Sequence, residues 1–324
     1  MAGQPILPRD LSNPSMTAGI QRTAFARIKR HEANIKRQMR ELIDSLSYRR
    51  VDADTGMVIN STLPDDHWLY ANQTITYQYD LSAGVLQQLS ERIDAILWQE
   101  WMETETTRPP ADWWLYQAVD SAYEQGTAAA VTNLAAISDE YVRALATVVS
   151  NPAYLDRIAF IRARQFELMR GLTDETRANL ADTLARAMQA GESPMSIKKE
   201  IQQRVGVSAS RAERIARTEI NQSHKRARLA EAQDAQERLG IRTKLMWLSA
   251  LSPTTRRTHA ARHGKLYTRE EVEEFYSMDG NSVNCKCSFT EVLVDEDGNP
   301  LDGGKAMERL QARSQKFLRV MPLQ

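Results

Sequence analysis

The stretch "THAARHGKLYTREEVEEFYSMDGNSVNCKCSF" holds both cysteines of the chain, Cys285 and Cys287, and two of its five histidines, His259 and His263. Side chains two apart in an extended segment point to the same side, so the two thiols converge. Ser252-Pro253 supplies an N-cap followed by proline at the first helical position, which predicts a short helix over 254–263 closed by Gly264. Histidines four apart on that helix share a face. Two imidazoles and two thiolates on facing elements make a donor set suited to tetrahedral zinc. Between Gly264 and Asn284 the chain is charged and short of large apolar residues. A metal clamp, worth ~10–16 kcal/mol in zinc-finger peptides, is expected to hold such a segment in place of a core. Bland roles compete. Cysteines also serve as small buried hydrophobes, and His263 before a glycine suits a helix C-terminus. Asp279 or a water are further candidates for the fourth ligand.

The His-x3-His spacing is that of a zincin helix, but those enzymes need glutamate directly after the first histidine. Ala260 stands there, so a metalloprotease is disfavoured. "REEVEEF" reads as the solvated face of a helix. A Cys-x-Cys pair is poorly spaced to bridge itself, and no other cysteine exists, so a reducing compartment is expected.

The elements that must position these groups are mainly helical. The expected fold class is mainly α with a small α+β, zinc-stapled C-terminal module, and a helical N-terminal half with one small β-hairpin element. Residues 1–16 read as an irregular arm and 17–167 as a mainly helical domain. A C-terminal domain over 168–300 and a basic amphipathic tail over 301–324 complete the division. Within the second segment a long helix is expected to about residue 48, and a hairpin over "YRRVDADTGMVINST" with its turn at Asp52–Gly56. A helix burying Val85, Leu89, Ile93, Ile96 and Leu97 follows. Farther on, Thr173 is expected to cap one helix, Ser193-Pro194 to start a short one ending at Gly206, and Ser210-x-x-Glu213 to form a capping box for the next. "TKLMWLSAL" and "SFTEVLV" read as strands.

In their order, these residues resemble the phage head morphogenesis family, the minor head proteins of the phage Mu F-like type. The likeness covers about residues 168–292. It runs from "GLTDETRANLADTLARAMQAGESPMSIKKEI" through "RAERIARTEINQSHKRARL" and "MWLSALSPTTRRTHAARHG" to "NCKCSF". Arg217, Thr218, Glu219, Trp247, His259, Gly264, Asn284, Cys285 and Cys287 fall on the family pattern. Lys286 replaces the usual arginine. His263 stands where the pattern has aspartate, so its ligand role is not inherited. Arg256 occupies a position where some relatives carry cysteine. The resemblance implies a virion or procapsid component associated with the portal or the inner head, made in the host cytoplasm and acting as an assembly factor rather than an enzyme. Portal or capsid proteins are the implied partners, with nonspecific contact to packaged DNA as a further option.

At zero net charge over 324 residues, a uniformly basic nucleic-acid binder is excluded, while local basic patches are not. No run approaches the roughly 20 apolar residues of a membrane span. The tail carries Lys305, Arg309, Arg313, Lys316 and Arg319, interleaved with Met307, Leu310, Phe317 and Leu318. A mobile amphipathic basic helix suits docking on a larger partner or touching phosphates. The rival readings are a DNA-binding accessory protein and an enzyme, either a zinc-dependent nuclease or a transferase using Arg217 and Glu219.

Overall fold

Glycines at positive φ, Gly191 and Gly240, follow the ends of the two longest helices. The computed structural model describes residues 3–60, 62–70, 73–104, 108–148 and 153–321, and 62% of it is helical. The helices are α1 (Ala18–Asp44), α2 (Ala83–Met102), α3 (Trp114–Ile137), α4 (Asp139–Val148), α5 (Ala153–Gln189), α6 (Pro194–Leu239), α7 (Arg257–Ala260), α8 (Arg269–Ser277) and α9 (Lys305–Val320). The strands are β1 (Tyr48–Asp52), β2 (Ile75–Tyr79), β3 (Thr243–Leu248), β4 (Leu266–Tyr267) and β5 (Ser288–Leu293). The fold is thus mainly α with two small sheets, as the sequence implies. Val149, the Asn151-Pro152 break and residues 105–107 lie outside the described residues.

Three expected boundaries are absent. Helix α5 runs through Thr173, whose hydroxyl bonds back to the Met169 carbonyl at 2.9 Å instead of capping. Helix α6 runs through Gly206 and Ser210, and the Ser210 hydroxyl likewise donates to the Gly206 carbonyl. A mid-helix glycine costs only about 1 kcal/mol. Here the buried row Ile201, Val205, Ala209, Ala212 and Ala216 continues across it, so packing prevails over the local stop signal. The α5–α6 break does occur as expected. Gly191 adopts φ +70° and Ser193 Oγ accepts from the Ser196 amide ahead of Pro194.

The chain forms two compact units. One comprises Ala26–Trp113 and Phe166–Glu213. In it β1 pairs antiparallel with β2, from Tyr48 opposite Tyr79 to Asp52 opposite Ile75. The expected turn forms, with the Gly56 amide on the Asp52 carbonyl. The returning chain makes only an isolated bridge between Val51 and Val58, and the ladder goes to the later strand. Helix α2 buries Leu89, Ile93 and Leu97, with Trp101 and Met102, while Val85 and Ile96 stay half-buried.

Buried His31 on α1 bridges two acids of this unit, with Nδ1 3.1 Å from Glu100 and Nε2 3.2 Å from Glu103. Burial alone lowers its pKa, but the hydrogen bonds and charges of Glu100 and Glu103 outweigh this and raise it above the ordinary 6.5. A raised folded-state pKa gives stability that is complete below the unfolded value and is lost as pH rises through the folded one. Wild type should therefore lose denaturation midpoint relative to His31→Gln as pH rises above about 6.5. Parallel midpoint-versus-pH curves for the two proteins would sink this assignment.

The other unit comprises Met1–Phe25, Trp114–Gln165 and Arg214–Gln324. Its antiparallel sheet has the order β4-β3-β5, with Trp247 opposite Phe289. Strand β3 shows no hydrophobic alternation because both faces are covered. Leu245, Trp247 and Phe289 pack with Val272 and Phe275 of α8 and Leu229 of α6. Met246, Leu248 and Val292 pack with Leu310 and Met307 of α9 and with Leu7 and Leu11 of the arm. A core therefore surrounds the segment expected to lack one. The segment itself supplies Val272 and Phe275, with Tyr267 and Tyr276 packed against them, and β3 and β5 add Leu245, Trp247 and Phe289.

The first described residues form no helix before α1 and are bonded in place. Ile6 N donates to Asn133 Oδ1 at 2.7 Å, and Thr290 Oγ1 donates to the Ile6 carbonyl. Beneath it lies an enclosed ion pair, Arg228 to Glu291 at 2.6 Å, with Glu291 at 0% exposure. Asn133 Nδ2 and Thr290 Oγ1 complete the network.

The tail helix α9 is docked on its module. Ser314 Oγ donates to the Ala260 carbonyl, Gln311 Nε2 to the Gly264 carbonyl and Arg257 to the Leu318 carbonyl. Gly264 has φ +77°, and a Cβ there would meet the Gln311 amide at 2.8 Å, so the turn must carry glycine. The apolar stripe of the tail is thereby used internally, which corrects the expectation of a mobile helix with a free apolar face.

Candidate metal centre

His259, Cys285 and Cys287 come together, each offering one donor atom within 4.8 Å of the others. His259 Nδ1 lies 3.5 Å from both sulfurs, and all three residues are buried. The two cysteines point one way from the extended chain that enters β5, as their spacing requires. Such a group could hold a metal ion.

His263 does not join it. The helix α7 ends at Ala260 and the chain turns before Gly264, so the four-residue rule for a shared helical face no longer applies. Ser252 and Thr255 close a turn in place of the expected cap. His263 Nδ1 instead accepts from the Ser249 amide at 2.9 Å. Burial, with a smaller push from Arg313, lowers its pKa to about 4, so it stays neutral. Asp279 is exposed and stands outside the group.

The surrounding residues prepare His259 as a ligand. Asn281 Nδ2 donates to the Phe275 carbonyl, which turns Oδ1 toward His259 Nε2 at 3.3 Å. The closer Asn281 oxygen favours the proton on Nε2 over the longer 3.5 Å approach of Arg256, and the Nδ1 lone pair then faces the thiols, the usual outer-sphere device at metal-binding histidines. The ring packs edge-on to Phe275 and Trp247.

Helix α6 sets the cysteine loop. Arg217 donates to Asn284 Oδ1 at 2.7 Å, Thr218 Oγ1 accepts from the Asn284 amide, and Asn221 Nδ2 donates to the Cys285 carbonyl. Asn284 takes φ +58°, a left-handed conformation that asparagine tolerates. Asn221 also accepts from Ser15, Thr17 and Gln21, tying the arm and α1 to the same loop. Glu219 bonds to Arg164 and Gln165 and does not line the cavity beside the cysteines.

Buried Lys225 places Nζ 4.1 Å above the Tyr276 ring, where it has no hydrogen-bond partner among the described residues. Tyr276 Oη lies 3.6 Å from Cys285 Sγ. The Cys285 thiol sits well below its ordinary range because Cys287 hydrogen-bonds to it, with Lys225 and His259 adding to the effect. Cys287, keeping the shared proton and buried, is pushed well up. Lys225, Asn221, Asn281 and Tyr276 carry no motif signal of their own. Asn221 and Lys225 lie one and two helical turns beyond Arg217 on α6, the one spacing that could have suggested them.

The five tail cations Lys305, Arg309, Arg313, Lys316 and Arg319 are all exposed on α9, and none forms an ion pair among the described residues.

Residues 178–290 match the family described as Phage Mu protein F like protein. The chain is also 27% identical over 129 residues to a protein named minor head protein GP7 of Bacillus phage SPP1. That alignment covers 36% of this chain and 41% of the relative, so less than half of either is spanned. No solved structure matches significantly.

Proposed function

We propose, from the match of residues 178–290 to the Phage Mu protein F like family, that the chain is a minor head protein of a tailed bacteriophage. It serves as an assembly factor at the portal or on the inner side of the procapsid. The observation that carries this reading is the extent of the match, which takes in the cysteine–histidine group and the whole of the helix that positions it. Portal or capsid proteins are its partners, and its place is the virion after assembly in the host cytoplasm. Mass spectrometry of purified procapsids and virions should find it in both at a few copies per particle. Absence from both would sink the assignment.

The metal in this reading is structural zinc, bound by His259, Cys285 and Cys287. Zinc–nitrogen and zinc–sulfur bonds of about 2.05 and 2.3 Å at tetrahedral angles put nitrogen and sulfur about 3.6 Å apart, close to the 3.5 Å seen here. Two thiolates and an imidazole also suit zinc better than magnesium or calcium.

The unpaired cations of α9 favour an added contact with packaged DNA. If each of the five neutralises one phosphate, binding to duplex should fall roughly 500-fold between 50 and 200 mM salt. Replacing all five by glutamine should flatten that dependence. A salt slope unchanged by the replacement would rule out this helix as the contact.

A further inference from the structure

We propose that the metal held by His259, Cys285 and Cys287 keeps one coordination position for a phosphate-class anion, received through the cavity those residues share with Arg217, Arg256 and Lys286. The inference rests on the metal reading above and adds a ligand to it.

The cavity measures about 320 Å³ and its wall includes all three of these residues, so it reaches the group that would hold the metal. No fourth histidine, cysteine or carboxylate completes the group among the described residues. The nearest hydroxyls, Ser249 at 3.7 Å from Cys287 and Tyr276 at 3.6 Å from Cys285, already serve the sulfurs as hydrogen-bond partners. A three-ligand site with a fourth place open is the arrangement that accepts an exogenous ligand.

The lining says what charge that ligand has. It contains Arg217, Arg256 and Lys286, the hydroxyl residues Ser252, Thr254 and Thr255, and no aspartate or glutamate. Both arginines are fixed by neutral groups. Arg256 donates to the Asn281 and Val283 carbonyls, and Arg217 donates to Asn284 while stacking on Phe25 at 4.8 Å. Their charges are held without being cancelled. A divalent ion with two thiolates is neutral, so Lys225 behind the site adds further uncompensated positive charge. Rigid guanidinium groups, hydroxyl donors and a Lewis-acidic ion together recognise a tetrahedral oxyanion. The volume also lies at the lower end of small-molecule sites.

The test uses the full chain loaded with cobalt(II), whose visible absorption reports its ligands, and inorganic phosphate as probe. Phosphate should shift the cobalt bands saturably. Lys286→Ala should weaken that response about tenfold while leaving metal content unchanged, and Lys286→Arg should restore it. Bands indifferent to phosphate, or an equal response in Lys286→Ala, would overturn the inference. Metal content of the wild type is measured first. If the protein binds no metal, the metal reading itself fails and takes this one with it, which separates the two failures. Adding duplex DNA to the phosphate-saturated protein identifies the natural source. Displacement assigns backbone phosphates, no displacement assigns a free phosphate, and either result keeps the site.

Discussion

Cys285→Ser or Cys287→Ser should reduce bound metal from about one equivalent to near zero, because two donors remain where three converged. Metal that binds only the folded form at a thousandfold excess over its dissociation constant stabilises by about 4 kcal/mol. Loss of that amount should appear as a lower urea midpoint for the C-terminal module. The chelator arm makes the test specific. EDTA should lower the wild-type midpoint to that of Cys285→Ser and leave the variant unmoved. The variant should nevertheless remain folded, since Trp247, Val272, Phe275 and Phe289 form a buried cluster around the centre. A variant that keeps its metal, or a wild type indifferent to chelator, would end the metal reading.

Glu291→Ala is expected to be the most damaging change away from the centre. It leaves Arg228 buried without a counter-charge and removes an acceptor from Asn133. Breaking one side of an enclosed ion pair typically costs about 3–5 kcal/mol. Replacing both partners, as in Arg228→Met with Glu291→Leu, should recover most of the loss, because neither charge is then stranded. Urea denaturation of the single and double variants measures the difference. A single variant within about 1 kcal/mol of wild type would show that the pair is not sealed from water.

The sequence carried the centre unevenly. Cys285 and Cys287 were legible because period two survives any extended path. His259 was legible because it lies on the family pattern. His263 was misassigned because a spacing rule for helices was applied across a four-residue helix that ends before it. Helix α6 escaped for the opposite reason. Gly206, Ser210 and Glu213 give a good local stop-and-start signal, and the stripe from Ile201 to Ala216 overrides it. The absence of a core was inferred from 264–284 alone, while Trp247 and Phe289 reach in from strands on either side. The β1–β2 pairing was hidden because the turn after β1 is locally sound yet leads to a different partner. Local chemistry read well, and long-range pairing did not.

The arm has a consequence for the order in which the molecule is made. Ile6 finds Asn133 after 127 residues and Thr290 after 284, and Asn221 holds both the start of α1 and the Cys285 backbone. A ribosome must therefore deliver Thr290 before Ile6 can settle into its final bonds. Cys285 and Cys287 emerge just ahead of it. Maturation of this module is thus timed by the arrival of the strand that bears Thr290.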